Sequence, residues 1–339
     1  MVATTIRAIQ VDQHGDASVL KPATVLSPTY KPDQVLVRVA YSGVNYLDII
    51  ERKGSFPSPP PIDGGRSRET PFIPGHEASG EIVEVGTEVQ HGFKVGDRVA
   101  FVGIDTYAEY VAVNTVNLAK LPDSASLADG AAFLLQGLTA IGLVRKGYAI
   151  QKGDWVVIHA AAGGVGLLAT QLAHLLGAHV IGTVSTEEKA ILAKAAGAEH
   201  VVLVNNGYEA LEKKVNELTD GQGVHAVLDS VGQASFESSL NIVRRLGTLV
   251  LYGHASGIIP PFLLVRLSGK NVKVTWTDLD NYIATREEFD ELYSELVDYL
   301  AKGHLKVDIH KVYSFDEVQQ AHIDLQGRKT TGKLLIKID

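Results

Sequence analysis

Residues 155–166 read Trp155-Val156-Val157-Ile158-His159-Ala160-Ala161-Ala162-Gly163-Gly164-Val165-Gly166. An apolar run stops abruptly in small residues, and a helical pattern follows with Val165, Leu168, Leu172 and Leu175 at helical spacing. A strand over 155–160, a tight turn and a helix opening at the glycines make the pattern of a dinucleotide-binding turn. Gly163 would let the backbone approach a pyrophosphate and Gly166 would let the helix pack closely on its strand, with the phosphates at the positive helix N-terminus. The first position of the G-x-G-x-x-G pattern is Ala161, so the match is a variant. Because most glycine clusters are ordinary turns, the reading depends on what surrounds it.

Apolar strand candidates recur at 179–183, 200–204, 224–229, 248–252 and 272–276, with helical patterns at 190–196, 211–218 and 236–246 between them. This β-α-β repetition predicts a parallel, doubly wound sheet of the Rossmann type. From about residue 5 to 121 the chain changes character: short strand candidates at 6–11, 34–44, 80–85, 97–102 and 108–113 are separated by glycine turns, as in a compact, partly open barrel. A helical stretch over 130–144 leads into Trp155. Phe289, Leu292, Tyr293, Leu296, Val297 and Leu300 mark a long late helix, and strands at 307–313 and 333–338 follow. We expect an α/β protein in which a Rossmann domain, residues 128–270, is inserted into a mainly β catalytic domain formed by 1–127 and 271–339. The active site is then expected in the cleft between them.

The 339 residues suffice for two cores, and 45% hydrophobic with 21% charged residues is ordinary for a globular protein. A net charge of −8 argues against a nucleic-acid backbone as the main partner. No uninterrupted apolar span long enough for a bilayer and no basic, apolar, cleavable leader stands out, so the cytoplasm is the expected compartment and no membrane partner is expected. The chain has no cysteine, which excludes disulfides, thiol nucleophiles and thiolate-bound zinc.

Several motifs carry a resemblance: Ser42-Gly-Val-Asn45-Tyr46-Leu-Asp48, Gly75-His-Glu-Ala-Ser-Gly80, Gly137-Leu-Thr139 and His159-Ala-Ala-Ala-Gly-Gly-Val-Gly166. Asp229-Ser-Val-Gly232, Gly253-His-Ala-Ser-Gly257 and Arg328-Lys-Thr-Thr-Gly332 complete them. Over nearly its whole length the chain resembles the zinc-free quinone oxidoreductases (zeta-crystallin-like) of the medium-chain dehydrogenase/reductase superfamily, whose catalytic domain is GroES-like. The resemblance implies an NADPH-dependent homodimer that passes hydride or electrons to quinones without metal. In the zinc enzymes of that superfamily the catalytic metal is held by Cys, His and Cys; the matching positions here are Asn45, His76 and Gln136. One imidazole between neutral amides does not make a tetrahedral site, so no metal is expected and His76 reads as a hydrogen-bonding residue.

Cofactor choice turns on the second Rossmann strand. NAD enzymes usually end it in Asp or Glu; here it ends Ile181-Gly182-Thr183-Val184-Ser185. Glu187 and Glu188 come later and read as a helix start capped by Ser185 in the pattern Ser185-x-x-Glu188. By resemblance, Lys189 and Arg328 meet the 2′-phosphate of NADPH, Ser185 and Asn206 lie beside it, and Ala162, Gly163, Gly164, Val165 and Gly166 hold the pyrophosphate. The family's tyrosine near Asn206 is missing, and Tyr208 stands out of register. Ser230, Val231, Gly253, His254 and Ser256 would lie along the cofactor, with Thr139 and Gln136 on its nicotinamide side.

Asn45 reads either as a buried polar residue satisfying a turn or as an amide donor to a quinone oxygen; Tyr46 reads as a packed aromatic or as a proton donor. Ile50 and Phe56 replace two family tyrosines and make the substrate pocket more apolar, and Trp276 stands where relatives often carry Arg. Reduction of enal or enone double bonds is the alternative chemistry; RNA binding or a structural, crystallin-like role are further alternatives. The Pro/Gly-rich loop 57–71 reads equally as a flap over the active site or as a passive insertion.

Overall fold

The computed structural model describes residues 4–55 and 68–338 of the chain. Phe56 and most of loop 57–71 therefore lie outside the described residues. Two compact units emerge: Met1–Leu135, Thr285–Phe289 and Val307–Asp339 form the first, and Gln136–Ala284 with Asp290–Lys306 the second.

In the first unit, β1 (Thr5–Val11) and β2 (Leu20–Leu26) form an antiparallel pair. They are followed by β3 (Gln34–Val44), α1 (Tyr46–Lys53), β4 (Glu77–Val85), β5 (Arg98–Val102), β6 (Tyr110–Asn114) and β7 (Leu118–Lys120). Then α2 (Leu127–Gly142) begins, and the division between units falls within it, after Leu135. β3 is the hub. Its eleven residues pair antiparallel with β4 and β6 and with a strand from the far end of the chain. Val35, Val37, Val39 and Val44 of β3 are buried in one apolar core with Ile82, Val99, Phe101 and Tyr107. Ala108, expected to open a strand, instead makes an isolated bridge to Ala8.

The second unit holds β8 (Trp155–Ile158), α3 (Gly164–Leu175), β9 (His179–Val184), α4 (Glu187–Ala195), β10 (His200–Leu203), α5 (Glu209–Leu218) and β11 (Val224–Asp229). It continues through α6 (Phe236–Ile242), β12 (Val243–Leu251) and β13 (Lys273–Trp276). These strands form one parallel sheet in the order β10-β9-β8-β11-β12-β13, the doubly wound Rossmann order whose direction reverses between β8 and β11. The late elements are α7 (Arg286–Ala301), β14 (Ile309–Ser314), α8 (Val318–Gln326) and β15 (Lys333–Lys337). β15 pairs with β3 and β14, so the chain's end completes the first unit's sheet.

Three expectations are corrected. The helix expected over 236–246 stops at Ile242 and β12 starts at once. Leu246, which extends the helical spacing, has a left-handed φ of 65° and its side chain is exposed. Residue 271 is too early for the return to the catalytic domain, because β13 is hydrogen-bonded to β12 as a sheet edge and the first unit resumes at Thr285 and Val307. Among the described residues one span is apolar and long enough to cross a bilayer: the helical stretch Leu127–Gly147, 21 residues, of which the most apolar window is 72% buried inside the protein. It is a core helix.

At Gly80 of β4 the backbone of β3 leaves no room for a side chain. A Cβ there would lie 2.0 Å from the Arg38 carbonyl oxygen, a backbone atom that cannot swing away. Gly80→Ala is therefore expected to lower stability by about 1–3 kcal/mol, read from the shift in urea midpoint; an unchanged midpoint would show that the strands part at no cost.

Candidate cofactor and substrate sites

In the second unit, β8 ends in a turn whose geometry is set by carbonyl contacts. His159 N–H donates to Leu228 O at 3.0 Å and Ala161 N–H to Thr183 O at 3.0 Å, tying the turn to both neighbouring strands. Gly163 N–H donates to Ala160 O at 2.8 Å, and Gly163 caps α3 with no side chain to fill its first turn. The left-handed residue is Ala160, with φ 50°, one position before the Ala161 expected to open the pattern. A Cβ on Gly166 would lie 2.2 Å from Ala160 O, so glycine is required there for the approach of helix to strand, as the spacing suggests. At Gly164 the neighbour is the Gln136 carboxamide, 2.2 Å from a built Cβ. Gln136 thus lies on the glycine turn. At Gly163 a Cβ would meet only Ala160 O at 3.2 Å, leaving that backbone open. A bare helix N-terminus behind open glycine backbone fits a pyrophosphate.

The tip after β9 carries no acid. The capping expectation shifts by one residue: Thr186, not Ser185, is the N-cap, and its Oγ1 accepts from Lys189 N at 3.3 Å. The hydrogen bonds that its own backbone N–H and the Thr186 hydroxyl give the Glu188 carboxyl hold it below the usual carboxylate range. Ser185 is left half-buried ahead of the cap, and half-buried Lys189 lies in the first turn of α4. Asn206 is exposed in the turn after β10. Tyr208 turns inward, its ring edge-on to His159 with centroids 5.5 Å apart. Arg328 is an exposed residue of the first unit, with φ 56°, just after α8.

The tips after β11 and β12 are stitched together. Ala255 N–H donates to Ser230 O at 3.1 Å, Ser256 N–H to Val231 O at 2.8 Å and Ser256 Oγ to Val231 O at 2.7 Å. Gly253 passes so close that a Cβ would lie 2.9 Å from Ser230 O. His254 and Trp276 place their ring centroids 5.7 Å apart, with Trp276 51% exposed at the end of β13. Thr139 is half-buried on α2. In this unit Gly163, Ser185, Ser230, Val231 and Gly253 stand beyond the carboxyl ends of the parallel strands, where open α/β sheets bind ligands, while Gln136 and Thr139 are on α2 and Lys189 on α4.

The first unit holds Asn45 and Tyr46 at the start of α1, with Ile50 buried one turn on. Asn45 is the N-cap, and its amide is engaged on both sides: Nδ2 donates to Glu77 Oε1 at 3.0 Å, and Oδ1 accepts from Lys333 Nζ at 2.9 Å. Lys333 also pairs with Glu77, both fully buried, while Glu77 Oε2 accepts the Leu135 N–H at 3.0 Å. Asp48 reaches back to the Asn45 N–H at 2.8 Å and completes the capping box. Its other oxygen meets His76 Nδ1 at 2.6 Å, and His76 Nε2 meets Glu51 Oε1 at 3.0 Å. Tyr107 OH donates to Asp48 Oδ2 at 2.8 Å and lies 3.1 Å from His322 Nε2.

Burial works against a charge on His76, yet its hydrogen bonds to Asp48 and Glu51 prevail and raise its pKa to about 9. Burial alone would raise Asp48, but the His76 hydrogen bond and charge hold it low. His322 has no such carboxylate contact, and burial pushes it down to about 4. Burial likewise pushes the Tyr46 phenol up, against the opposing charge of Arg328. Zinc does not fit this donor set: both His76 ring nitrogens are taken by carboxylates, and Asn45 supplies a neutral amide. Among the described residues no group of three His, Asp or Glu side chains is placed to hold a metal. Glu51, Tyr107, His322 and Lys333 escaped the sequence reading. Asp48 and Glu77 stood within its motifs without an assigned role.

A GroES-like unit joined to a Rossmann sheet with this glycine turn defines a medium-chain dehydrogenase/reductase. Residues 31–123 match the alcohol dehydrogenase GroES-like domain and residues 164–298 the zinc-binding dehydrogenase family. A probable quinone oxidoreductase of Schizosaccharomyces pombe is 39% identical over 97% of this chain and 96% of its own length. The NADPH complex of Escherichia coli quinone oxidoreductase superposes with a TM-score of 0.89 at 36% identity, covering 99% of this chain and 100% of that one. A 2-haloacrylate reductase of Burkholderia sp. is 36% identical over 90% of this chain and 91% of its own length. The chain belongs to the quinone oxidoreductase family of that superfamily.

The two histidines set opposite pH limits. His76, raised from 6.5 to about 9, contributes stability that is complete below pH 6.5 and is lost as pH climbs through 9; His322, depressed from 6.5 to about 4, contributes stability lost as pH falls from 6.5 through 4. Denaturation across pH should show a dome, its alkaline limb losing on the order of 3 kcal/mol. His76→Gln is expected to flatten that limb, and a limb of unchanged slope would show that the imidazole is not charged.

Proposed function

We propose that this protein is an NADPH-dependent oxidoreductase that reduces quinones without a metal. Two observations together carry the reading: His76 is metal-incompatible, held between two carboxylates, and β9 ends without Asp or Glu, followed by Ser185 and, in the first turn of α4, Lys189. When bound, NADPH supplies the hydride. The open backbone of Gly163 to Val165 and the start of α3 would hold the pyrophosphate, and Ser185 and Lys189 would read the 2′-phosphate. Without a Lewis acid, an acceptor that stabilises its own developing negative charge is favoured, which selects quinones and activated double bonds over simple ketones.

Of the two residues at the start of α1, Tyr46 is the proposed proton donor. Its raised pKa keeps the phenol protonated through the neutral range. Asn45, its amide engaged by Glu77 and Lys333, orients the turn from which Tyr46 projects. The resemblance in sequence to a relative named 2-haloacrylate reductase supports a second reading, reduction of an electron-poor carbon–carbon double bond. A panel of benzoquinones against enals and haloacrylates separates the two by kcat/KM.

A homodimer is also proposed. β13 is the edge of the parallel sheet, and Leu263, Leu264 and Val265 just before it are 72%, 73% and 70% exposed, an apolar run that a second copy would cover. Sedimentation tests it. The cysteine-free, acidic composition fits the cytoplasm as the proposed compartment.

Lys189→Ala is expected to raise KM for NADPH at least tenfold and leave NADH nearly unchanged, because a charge-assisted phosphate contact contributes about 1.5–3 kcal/mol. Equal effects on both cofactors would remove Lys189 from the phosphate site. Dialysis against a chelator should leave turnover intact, whereas loss of turnover restored by zinc alone would overturn the metal-free mechanism.

A further inference from the structure

The tips after β8, β9 and β11 are joined beneath the surface by one chain of hydrogen bonds. Thr183 Oγ1 lies 2.9 Å from His159 Nδ1, His159 Nε2 lies 3.0 Å from Ser239 Oγ, and Ser239 Oγ donates to Asp229 Oδ2 at 2.8 Å. All four side chains are buried. The Asp229 carboxylate also accepts the Val231 N–H at 2.8 Å, the Gly232 N–H at 3.1 Å and the Ser235 hydroxyl at 2.7 Å. With so many donors converging on it, the chain has a direction. Ser239 uses its only hydrogen on Asp229, so its oxygen must accept from His159 Nε2–H; Nδ1 then carries the lone pair, and Thr183 donates to it. Burial keeps the His159 pKa low, in agreement with a neutral ring.

Three of the four members stand shortly before proposed cofactor contacts, and Ser239, within α6, links two of them. Ala160, Ala161 and Ala162 follow His159, Ser185 stands two residues after Thr183, and Ser230 and Val231 follow Asp229. We propose that His159 is a positioning residue that locks the pyrophosphate turn, the 2′-phosphate tip and the Ser230–Val231 tip into one preformed unit through Thr183, Ser239 and Asp229. The proposal rests on the NADPH reading above. Tips ordered independently would each lose freedom on binding, whereas tips tied to a single buried imidazole are set before the cofactor arrives. Only one proton arrangement satisfies every member of the chain, so its state is shared by all three tips.

Thr183→Val and Ser239→Ala each remove one hydroxyl, and those two residues bond His159 from opposite sides without a hydrogen bond to each other. The test is a double-mutant cycle on the full-length protein, with Kd for NADPH read by fluorescence titration and folding checked by thermal melting. Each single variant is expected to raise Kd about fivefold, and the double variant by about the same fivefold, since losing either hydroxyl already breaks the single proton arrangement that passes through the His159 ring. Thr183→Ser, which retains the hydroxyl, should restore the wild-type Kd even if the valine variant folds poorly. Ring-nitrogen NMR shifts should report the Nε2–H tautomer of His159. Effects that multiply in the double variant, unchanged Kd with a lowered melting temperature, or the opposite tautomer would each overturn the proposal. A wild-type protein that binds no NADPH would instead overturn the cofactor reading on which it rests.

Discussion

Charge buried in the first unit survives only because it is paired, and that pairing organises the turn around Asn45. Three fully buried carboxylates, Asp48, Glu51 and Glu77, meet His76 and Lys333 at hydrogen-bond distance. Removing one partner from such a set strands the other in a medium that cannot solvate it, so every member constrains its neighbours. The constraint reaches far along the chain. Lys333 opens β15, and its contact with Glu77 on β4 and Asn45 before α1 ties the last strand to the first half of the sheet. The same set specifies how α1 begins, since Asp48 both caps the helix and grips the imidazole.

A metal could perform this organising task in a site of the same layout, by drawing anionic ligands around one cation. Here a protonated imidazole does so with two carboxylates, and geometry makes the two solutions mutually exclusive. Both ring nitrogens face carboxylate oxygens, so no lone pair remains for a metal. Under the proposed function, polarising power would come from fixed hydrogen-bond donors, which would favour acceptors that delocalise charge through their own conjugation.

The second unit solves its polar burial the opposite way. His159 is buried and its pKa is lowered by burial; its hydrogen bonds go to the hydroxyls of Thr183 on β9 and Ser239 on α6, with the Asp229 carboxylate further off at 3.9 Å. Gly166, pressed against the Ala160 carbonyl, brings α3 close to β8 at the same tip. Close packing and a single proton arrangement together leave the tips after β8, β9 and β11 little freedom to rearrange.

The linear pattern was enough for the Rossmann sheet, the GroES-like unit and the glycine turn, because the apolar periods of 2 and 3.6 and the close-approach glycines are local properties of the chain. β3 spans the residues 34–44 read as a strand candidate, and α7 buries Phe289, Leu292 and Leu296 as its spacing requires. Local pattern failed where a neighbour decides. Leu246 has helical spacing but turns left-handed as β12 begins, and Thr186 displaces Ser185 as the cap because only its oxygen faces the Lys189 amide. The ionic set around Asn45 was the least legible part. Asp48 and Glu77 stood in recognisable motifs, but nothing in the sequence signals that Lys333, 288 residues after Asn45, would be buried against its amide. Composition and periodicity act over a few residues, whereas the partner of a buried charge is chosen by which strands pair; only the tertiary structure could make that choice.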